Sequence, residues 1–258
     1  MTAAEPLRLR LELTQPQAVE ATTALEWPPP AGGTARPFGL VLGPSAGARI
    51  TQPALGRIAA GLAARGYPVI GFDFAYAEAG RRLPDPPARL EAAFRDAIAL
   101  AQRRQGGRRP VLGGCSMGGR IASQLAAAGR PCAGLALLGY PLHPAGRPER
   151  LRTAHWPGLR VPILFVQGDR DALCDLGLLE RERRARLGQT ASRLHVIQGA
   201  DHGFRVRGRD QAGVLDELTE VVAGWLEELA VRWPIRARKP GLFTTPGVGY
   251  SGPRRPSS

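Results

Sequence analysis

One short stretch of the chain joins a strand-like run, a tight glycine turn and a helix-like run. The apolar residues Val111-Leu112 lead into Gly113 and then Gly114-Cys115-Ser116-Met117-Gly118, and a helical pattern follows directly. In that setting a Gly-x-Ser-x-Gly pattern is typical of a sharp strand-to-helix turn that presents the serine side chain. The turn needs glycine because a side chain would clash or could not adopt the backbone angles. The stretch therefore predicts Ser116 as a nucleophile on a strained turn.

Strand-like and helix-like patterns alternate along most of the chain. Short apolar runs predict strands, and apolar residues three and four positions apart predict amphipathic helices. Such alternation favours an α/β fold with a mainly parallel, twisted sheet of about eight strands and helices on both faces. The strands are predicted at 7–13, before Trp27, and at 38–42, 69–74, 111–115, 135–138, 163–166 and 194–197; the helices are predicted at 53–65, 89–104, 117–128 and around 214–229.

These patterns divide the chain into three parts. Residues 1–35 are expected to supply N-terminal strands and a loop, and residues 36–233 the core. Residues 234–258 lose the periodicity, are rich in Pro, Gly and Ser, and carry basic residues without an acidic one. We predict a basic, disordered C-terminal tail there.

Arginine supplies nearly all of the positive charge. The formal net charge is +13, yet Lys239 is the only lysine. Together with the abundance of Ala, Gly and Pro, this usage favours coding bias in a GC-rich genome over a dedicated anion-binding surface, which remains the alternative. Without a core lysine the chain has neither a Gly-Lys-Ser/Thr phosphate loop nor a Schiff-base residue. It also has no Gly-x-Gly-x-x-Gly fingerprint and no specific nucleic-acid motif.

The cysteines and the apolar runs indicate the compartment. The chain has three cysteines, an odd number without metal-ligand spacing, so we expect no disulfide framework, no metal site and no cofactor. No signal-like apolar segment opens the chain, and no run approaches the roughly 18 apolar residues of a membrane span. These features favour a cytoplasmic protein with reduced thiols and no membrane partner.

An acid and a histidine follow Ser116 after two later strands. Gly168-Asp169-Arg170-Asp171 comes after the strand at 163–166, and His202 comes after the strand at 194–197. Nucleophile, acid and histidine in this order predict a triad in which His202 is the general base and the acid orients it. Asp169 and Asp171 compete for the acid role. The Gly-x-x-Asp spacing favours Asp171, which leaves Asp169 to support the turn.

The neighbouring residues suggest the rest of the site. Cys115 stands at the variable position before the serine, because a cysteine-centred motif would need glycine where Met117 stands. The two oxyanion-hole amides are expected from Met117 and from Ala46, in the loop after the strand at 38–42. The candidate pocket residues are Ser45, Tyr76 and His143.

Two further side chains invite a structural interpretation. Arg120 stands one helical turn after Ser116, and a structural ion pair with a carboxylate such as Asp73 is favoured over substrate contact. His155 is expected to be structural or on the surface.

Several segments together resemble a known branch of the α/β-hydrolases. This dienelactone-hydrolase-like branch includes a testis-expressed hydrolase-like protein, a subunit of a nuclear histone acetyltransferase (NSL) complex and many bacterial members. The resemblance covers roughly residues 37–232 and implies an α/β-hydrolase fold without a large cap domain, with Ser116, Asp171 and His202 as the triad. The branch usually has His-Gly-Ala-Gly where this chain has Pro44-Ser45-Ala46-Gly47. The segments that carry it are 113–120, 139–149, Leu151-Arg152 and 162–171, with 72–76, Arg81-Arg82 and Pro84-Asp85 fitting as well.

Two functions from different classes remain open at this point. The ordered triad favours a serine hydrolase that cleaves a small ester, thioester or amide through an acyl-enzyme. The altered loop at 44–47 and the basic tail favour a catalytically silent scaffold or binding protein. Only about twenty residues lie between the strand that ends near Leu138 and the next, which starts near Val161, so we expect an open site and a small-molecule or extended substrate. The sequence does not specify the oligomeric state.

Overall fold

Eight strands form one sheet in the computed structural model, which describes residues 5–33 and 36–232. The order across the sheet is β1-β2-β4-β3-β5-β6-β7-β8. β2 runs antiparallel to both of its neighbours, β1 and β4. The six strands β3 to β8 are all parallel to one another. The predicted α/β fold with a mainly parallel sheet is confirmed. The strands are β1 Leu7–Glu12, β2 Ala21–Trp27, β3 Gly39–Gly43, β4 Val69–Phe72, β5 Pro110–Cys115, β6 Gly134–Leu138, β7 Ile163–Gly168 and β8 Ser192–Ile197.

Helices cover both faces of this sheet and divide the core into two clusters. One cluster packs α3 and α4 on one face, and the other packs α1 and α6 on the opposite face. Burial on both faces explains why the central strands are continuous apolar runs. The helices are α1 Pro53–Ala64, α2 Ala75–Glu78, α3 Pro87–Arg104, α4 Met117–Ala127, α5 Leu176–Arg186 and α6 Gln211–Arg232.

The sequence patterns did not predict α5. Its sequence is LGLLERERRAR and only Leu179 is buried, so it lacks the apolar stripe on which a periodicity argument depends. Asp175 begins the helix, since its side chain accepts a hydrogen bond from the Leu178 amide at 2.7 Å.

The connection between β6 and β7 is short, and residues 5–33 and 36–232 include no large cap domain. Within residues 139–162 the only helical element is a 3₁₀ turn at Trp156–Gly158. Trp156 and Tyr140 are fully buried and hold this connection against α4. The tail predicted at 234–258 lies outside the described residues. Among the described helices, none combines the length and apolarity needed to cross a bilayer.

Three glycines let β3, β5 and α4 approach one another at backbone distance. A Cβ on Gly114 would lie 2.0 Å from the Gly43 carbonyl oxygen, and a Cβ on Gly118 would lie 2.1 Å from the same oxygen. Gly114 also has a φ of +136°, which L side chains rarely adopt. Both glycines of the motif are therefore required by the neighbouring strand as well as by the turn.

Alanine at Gly118 tests this packing. The added methyl group must displace the backbone of β3, so Gly118→Ala should destabilise the protein by about 1–3 kcal/mol. Gly224→Ala in α6 is the matched control, because nothing lies within 4 Å of its Cβ position; it should stabilise by about 0.5–1 kcal/mol. Urea denaturation measures both. Equal stability of the two variants would contradict the close approach.

Candidate active site

Ser116 lies at the junction of β5 and α4 in a strained backbone conformation. Its φ of 49° and ψ of −111° are unusual for a residue other than glycine and cost about 1–3 kcal/mol. The Ser116 amide donates to the Leu138 carbonyl at 2.8 Å, and its carbonyl accepts from the Arg120 amide at 3.0 Å. Only 8% of the serine is exposed. The turn thus holds the hydroxyl at the carboxyl end of the sheet, as the motif predicts.

His202 lies between Ser116 and Asp171 and contacts both. Its Nε2 lies 2.9 Å from the Ser116 Oγ, and its Nδ1 lies 2.7 Å from the Asp171 Oδ2. An ionised carboxylate only accepts hydrogen bonds, so Nδ1 carries the proton and Nε2 is left to accept from the serine hydroxyl. The three side chains form one hydrogen-bonded chain in the geometry that a general base requires.

Asp171 is buried and fixed by two further donors. The Gln167 Nε2 donates to its Oδ2 at 2.5 Å, and the Leu173 amide donates to its Oδ1 at 2.8 Å. Asp169 instead accepts from the Gly199 amide at 2.6 Å and so ties the β7 turn to the β8 turn. The two aspartates therefore have different surroundings, and Asp171 is the one that contacts His202.

A compact turn holds His202 in place. The Asp201 Oδ1 accepts from the amides of Gly203 and Arg205 at 2.8 and 2.9 Å. Phe204 is buried with a φ of 57°, another strained position, and its ring lies against Gly139 at the end of β6. Sequence reasoning did not assign Gln167, Asp201 or Phe204 to the site. Their proximity in sequence to Asp171 and His202 was the available signal.

Two hydrogen bonds attach the loop after β3 to α4 and α2, and a third closes a turn within it. The Gly118 amide donates to the Pro44 carbonyl at 3.1 Å, and the Ala48 amide donates to the Ser45 carbonyl at 3.1 Å. The Gly47 amide donates to the Tyr76 hydroxyl at 2.9 Å. These bonds fix the position of Ala46 relative to the first turn of α4.

Two amides at this position are free to donate. Met117 begins α4, where backbone N–H groups have no partner within the helix. Within residues 5–33 and 36–232, neither the Met117 amide nor the Ala46 amide makes a hydrogen bond. These are the two donors predicted for an oxyanion hole.

The structure separates the candidate pocket residues: Tyr76 is buried, whereas His143 lines an open pocket that also includes Asp171. Tyr76 is fully buried, so it supports the loop at 44–47 from below and does not line a pocket. His143 is 5% exposed; its Nδ1 bonds the Pro144 carbonyl and its Nε2 accepts from the Asp175 amide, both at 3.0 Å. Its ring nitrogens are thus both engaged within the protein. Ser45 is partly exposed beside Ala46.

The predicted ion pair between Arg120 and Asp73 is wrong. Asp73 is fully buried and accepts from the Arg49 Nε at 2.8 Å and from the Ile50 amide at 2.5 Å. Burial raises the pKa of Asp73 above its usual value, an effect that these hydrogen bonds oppose. This pairing ties the residues after β3 to the end of β4, which strengthens the loop at 44–47.

Cys115 does not compete with the serine. It is partly buried next to Ser116, and burial raises its pKa to about 12. At neutral pH the side chain is therefore a thiol, which is a weak nucleophile.

A match to a family model now adds to this geometry. Residues 37–229 match the alpha/beta hydrolase domain model, which covers most of the chain. The chain belongs to the alpha/beta hydrolase family. The fold and the family implied by the sequence resemblance are confirmed at this level.

Solved structures of other hydrolases have the same fold. A serine hydrolase homologue from Coxiella burnetii has a TM-score of 0.67 at 18% identity, covering 88% of this chain and 99% of the other. A serine hydrolase without a lid from Xanthomonas campestris has a TM-score of 0.63 at 17% identity, covering 90% and 97%. A dienelactone hydrolase from Anabaena variabilis has a TM-score of 0.65 at 19% identity, covering 87% and 99%. This alpha/beta hydrolase is similar to them in fold.

A second serine–histidine pair lies deeper, between α4 and the β6–β7 connection. The His155 Nε2 lies 2.8 Å from the Oγ of Ser123, which is fully buried. Burial, together with the positive charge of Arg120, lowers the pKa of His155 to about 4. His155 is therefore neutral at pH 7, and its hydrogen bond joins the connection to the helix.

This low pKa makes the stability of the protein depend on pH. Below its ordinary pKa of about 6.5 the histidine takes up a proton in the unfolded chain, while in the folded protein it does so only near pH 4. Stability should therefore fall as the pH falls from about 6.5 to about 4. His155→Gln keeps a hydrogen-bond donor but does not titrate. Between pH 7 and pH 5 the free energy of unfolding of this variant should therefore fall by about 1–2 kcal/mol less than that of the wild type.

Urea denaturation at pH 7 and pH 5 measures this difference. His195→Gln is the control for the substitution itself, because it makes the same replacement at a histidine of β8, away from the β6–β7 connection. An equal loss of stability in wild type and His155→Gln would show that the fold does not lower the pKa of His155.

Proposed function

We propose that this alpha/beta hydrolase is a serine hydrolase that cleaves a small ester, thioester or amide through an acyl-enzyme. The observation that carries the proposal is the hydrogen-bonded chain from Ser116 through His202 to Asp171, with distances of 2.9 and 2.7 Å. The strained backbone of Ser116 supports it, because such strain is typical of functional turns.

In the acylation step Ser116 attacks the carbonyl carbon of the substrate. The His202 Nε2 takes the hydroxyl proton as the Oγ–carbon bond forms. The carbonyl oxygen becomes an oxyanion, which accepts hydrogen bonds from the Met117 and Ala46 amides. Collapse of this intermediate breaks the bond to the leaving group, which receives the proton from His202. Asp171 keeps the imidazole in the required tautomer throughout.

Deacylation repeats these steps with water. His202 removes a proton from a water molecule that attacks the acyl carbon, and the same two amides stabilise the second oxyanion. His202 then returns the proton to the Ser116 Oγ as the acid product leaves. The short β6–β7 connection leaves the site open, which suits a small or extended substrate.

Membership of the branch named in the sequence analysis is part of this proposal. The fold match to a dienelactone hydrolase supports it, and the proposed bacterial source depends on it. The proposed cytoplasmic location rests instead on the cysteine usage. The loop at 44–47 is the feature that favours a catalytically silent scaffold instead. Its hydrogen bonds to Gly118 and Tyr76 favour a formed oxyanion site.

Labelling by a fluorophosphonate tests the nucleophile. The probe phosphonylates a serine that has an attached base and an oxyanion hole, so the wild type should be labelled at one site. Ser116→Ala should lose the label, whereas Ser123→Ala should keep it because Ser123 is fully buried. Intact mass and a peptide map measure the result. An unlabelled wild type would support the silent scaffold and overturn the proposed enzyme.

Asparagine in place of each aspartate tests the acid. Asp171→Asn removes the charge that holds His202 in the required tautomer, so kcat on p-nitrophenyl acetate should fall by up to about 10⁴-fold. Asp169→Asn keeps an oxygen for the Gly199 amide and should retain most of the activity. Similar losses in the two variants would mean that the contact between Asp171 and His202 has no catalytic role.

A further inference from the structure

Arg120 is half-buried and its guanidinium has no partner. It lies in the first turn of α4, four residues after Ser116. Within the described parts of the chain, no carboxylate or carbonyl oxygen makes an ion pair or hydrogen bond with it. Other half-buried arginines, such as Arg36, Arg49 and Arg183, are paired with carboxylates. A half-buried charge without a partner is costly, so this one calls for an explanation.

The β6–β7 connection, which the His155–Ser123 hydrogen bond joins to α4, carries a second arginine, Arg152. The Arg152 carbonyl accepts from the Tyr140 hydroxyl and its amide donates to the Leu142 carbonyl, both at 2.8 Å. Its Nη1 makes one long bond, 3.3 Å, to the Pro141 carbonyl. No ion pair to Arg152 is formed by the described residues either. The backbone is thus firmly held, while most of the guanidinium remains free.

The hydrogen bonds of Ser123 fix these two segments relative to each other. Its Oγ donates to the Arg120 carbonyl at 2.7 Å and bonds the His155 Nε2 at 2.8 Å. Burial and the charge of Arg120 lower the pKa of Arg152, and Arg120 also lowers the pKa of His155. The Arg120 and Arg152 charges therefore act on each other without an intervening acid.

Two guanidinium groups without a carboxylate partner, on segments that the hydrogen bonds of Ser123 join, suit an oxyanion. Each can donate two parallel N–H bonds to a carboxylate or phosphate, and their mutual repulsion ends when an anion lies between them. The Cα of Arg120 lies roughly 6 Å along the helix from that of Ser116. An anion bound here can be the far end of a short acyl chain whose carbonyl is at the serine.

We propose that Arg120 and Arg152 form an anion subsite that binds a carboxylate or phosphate group on the acyl part of the substrate. This inference rests on the proposed hydrolase function and names the class of its substrate: short esters or thioesters whose acyl chain ends in an anion. It reverses the expectation that Arg120 forms a structural ion pair.

Paired substrates test the subsite by kinetics. The p-nitrophenyl monoester of glutaric acid has an anionic end, and p-nitrophenyl valerate is its neutral match. The wild type should prefer the glutarate ester by at least about tenfold in kcat/KM. Arg120→Gln and Arg152→Gln should each reduce this ratio by about tenfold, the cost of a charge-assisted hydrogen bond. Arg103→Gln, at the far end of α3, changes the net charge equally and should keep the ratio.

An anion-binding measurement separates the subsite from the chemistry. In Ser116→Ala protein, millimolar glutarate or inorganic phosphate should raise the melting temperature, and Arg120→Gln or Arg152→Gln in that background should abolish the rise. Comparison of the two anions identifies the preferred group. If Arg120→Gln does not fold, Arg152→Gln and the wild-type substrate ratio still decide the question.

The outcomes distinguish the two proposals. Anion-dependent stabilisation in a protein that hydrolyses no ester would support the subsite and overturn the hydrolase function. Hydrolysis without preference for the anionic ester, and without stabilisation by either anion, would overturn the subsite and leave the hydrolase function standing.

Discussion

The contact of the Gly43 carbonyl with the glycines on either side of Ser116 underlies the rest of the site. Because Gly114 and Gly118 have no Cβ, β3 approaches both β5 and α4 at backbone distance. The Pro44 carbonyl then accepts the Gly118 amide at 3.1 Å. One contact thus fixes the serine turn and the loop that carries Ala46 together. Movement of either part would displace the two free amides relative to the serine hydroxyl.

The His202 turn has a different constraint, which follows from strand order. β5 and β8 are separated in the sheet by β6 and β7, so His202 must reach back across two strand ends to contact Ser116. The Asp201 side chain and the buried Phe204 ring provide the rigid turn that this reach requires. Asp171, at the end of the intervening β7, needs only the local bonds from Gln167 and Leu173. The strain at Phe204 is the cost of this geometry.

Local patterns predict part of this arrangement and long-range contacts decide the rest. The strand-turn-helix pattern around Ser116 and the turn spacing before Asp171 are short-range features, and the sequence was sufficient to predict where they lie. The partner of Asp73 was not predictable, because Arg49 lies in the segment that follows β3 whereas Asp73 follows β4. The same limit applies to Tyr76, whose burial follows from packing of the segment after β4 into the core. α5 lacked a buried stripe, so its charged sequence gave no periodicity to detect.

The unpaired arginines and the neutral histidine beside them have one common cause. The packing of Tyr140 and Trp156 orders the β6–β7 connection, and the hydrogen bond between His155 and Ser123 joins it to α4. This brings Arg152 towards Arg120, and a proton on His155 would add a third positive charge to a partly desolvated cluster. The histidine therefore remains neutral, since burial and then the charge of Arg120 lower its pKa to about 4. The Tyr140–Trp156 packing and the Ser123–His155 hydrogen bond thus hold together two segments that each carry an arginine without an ion pair among the described residues.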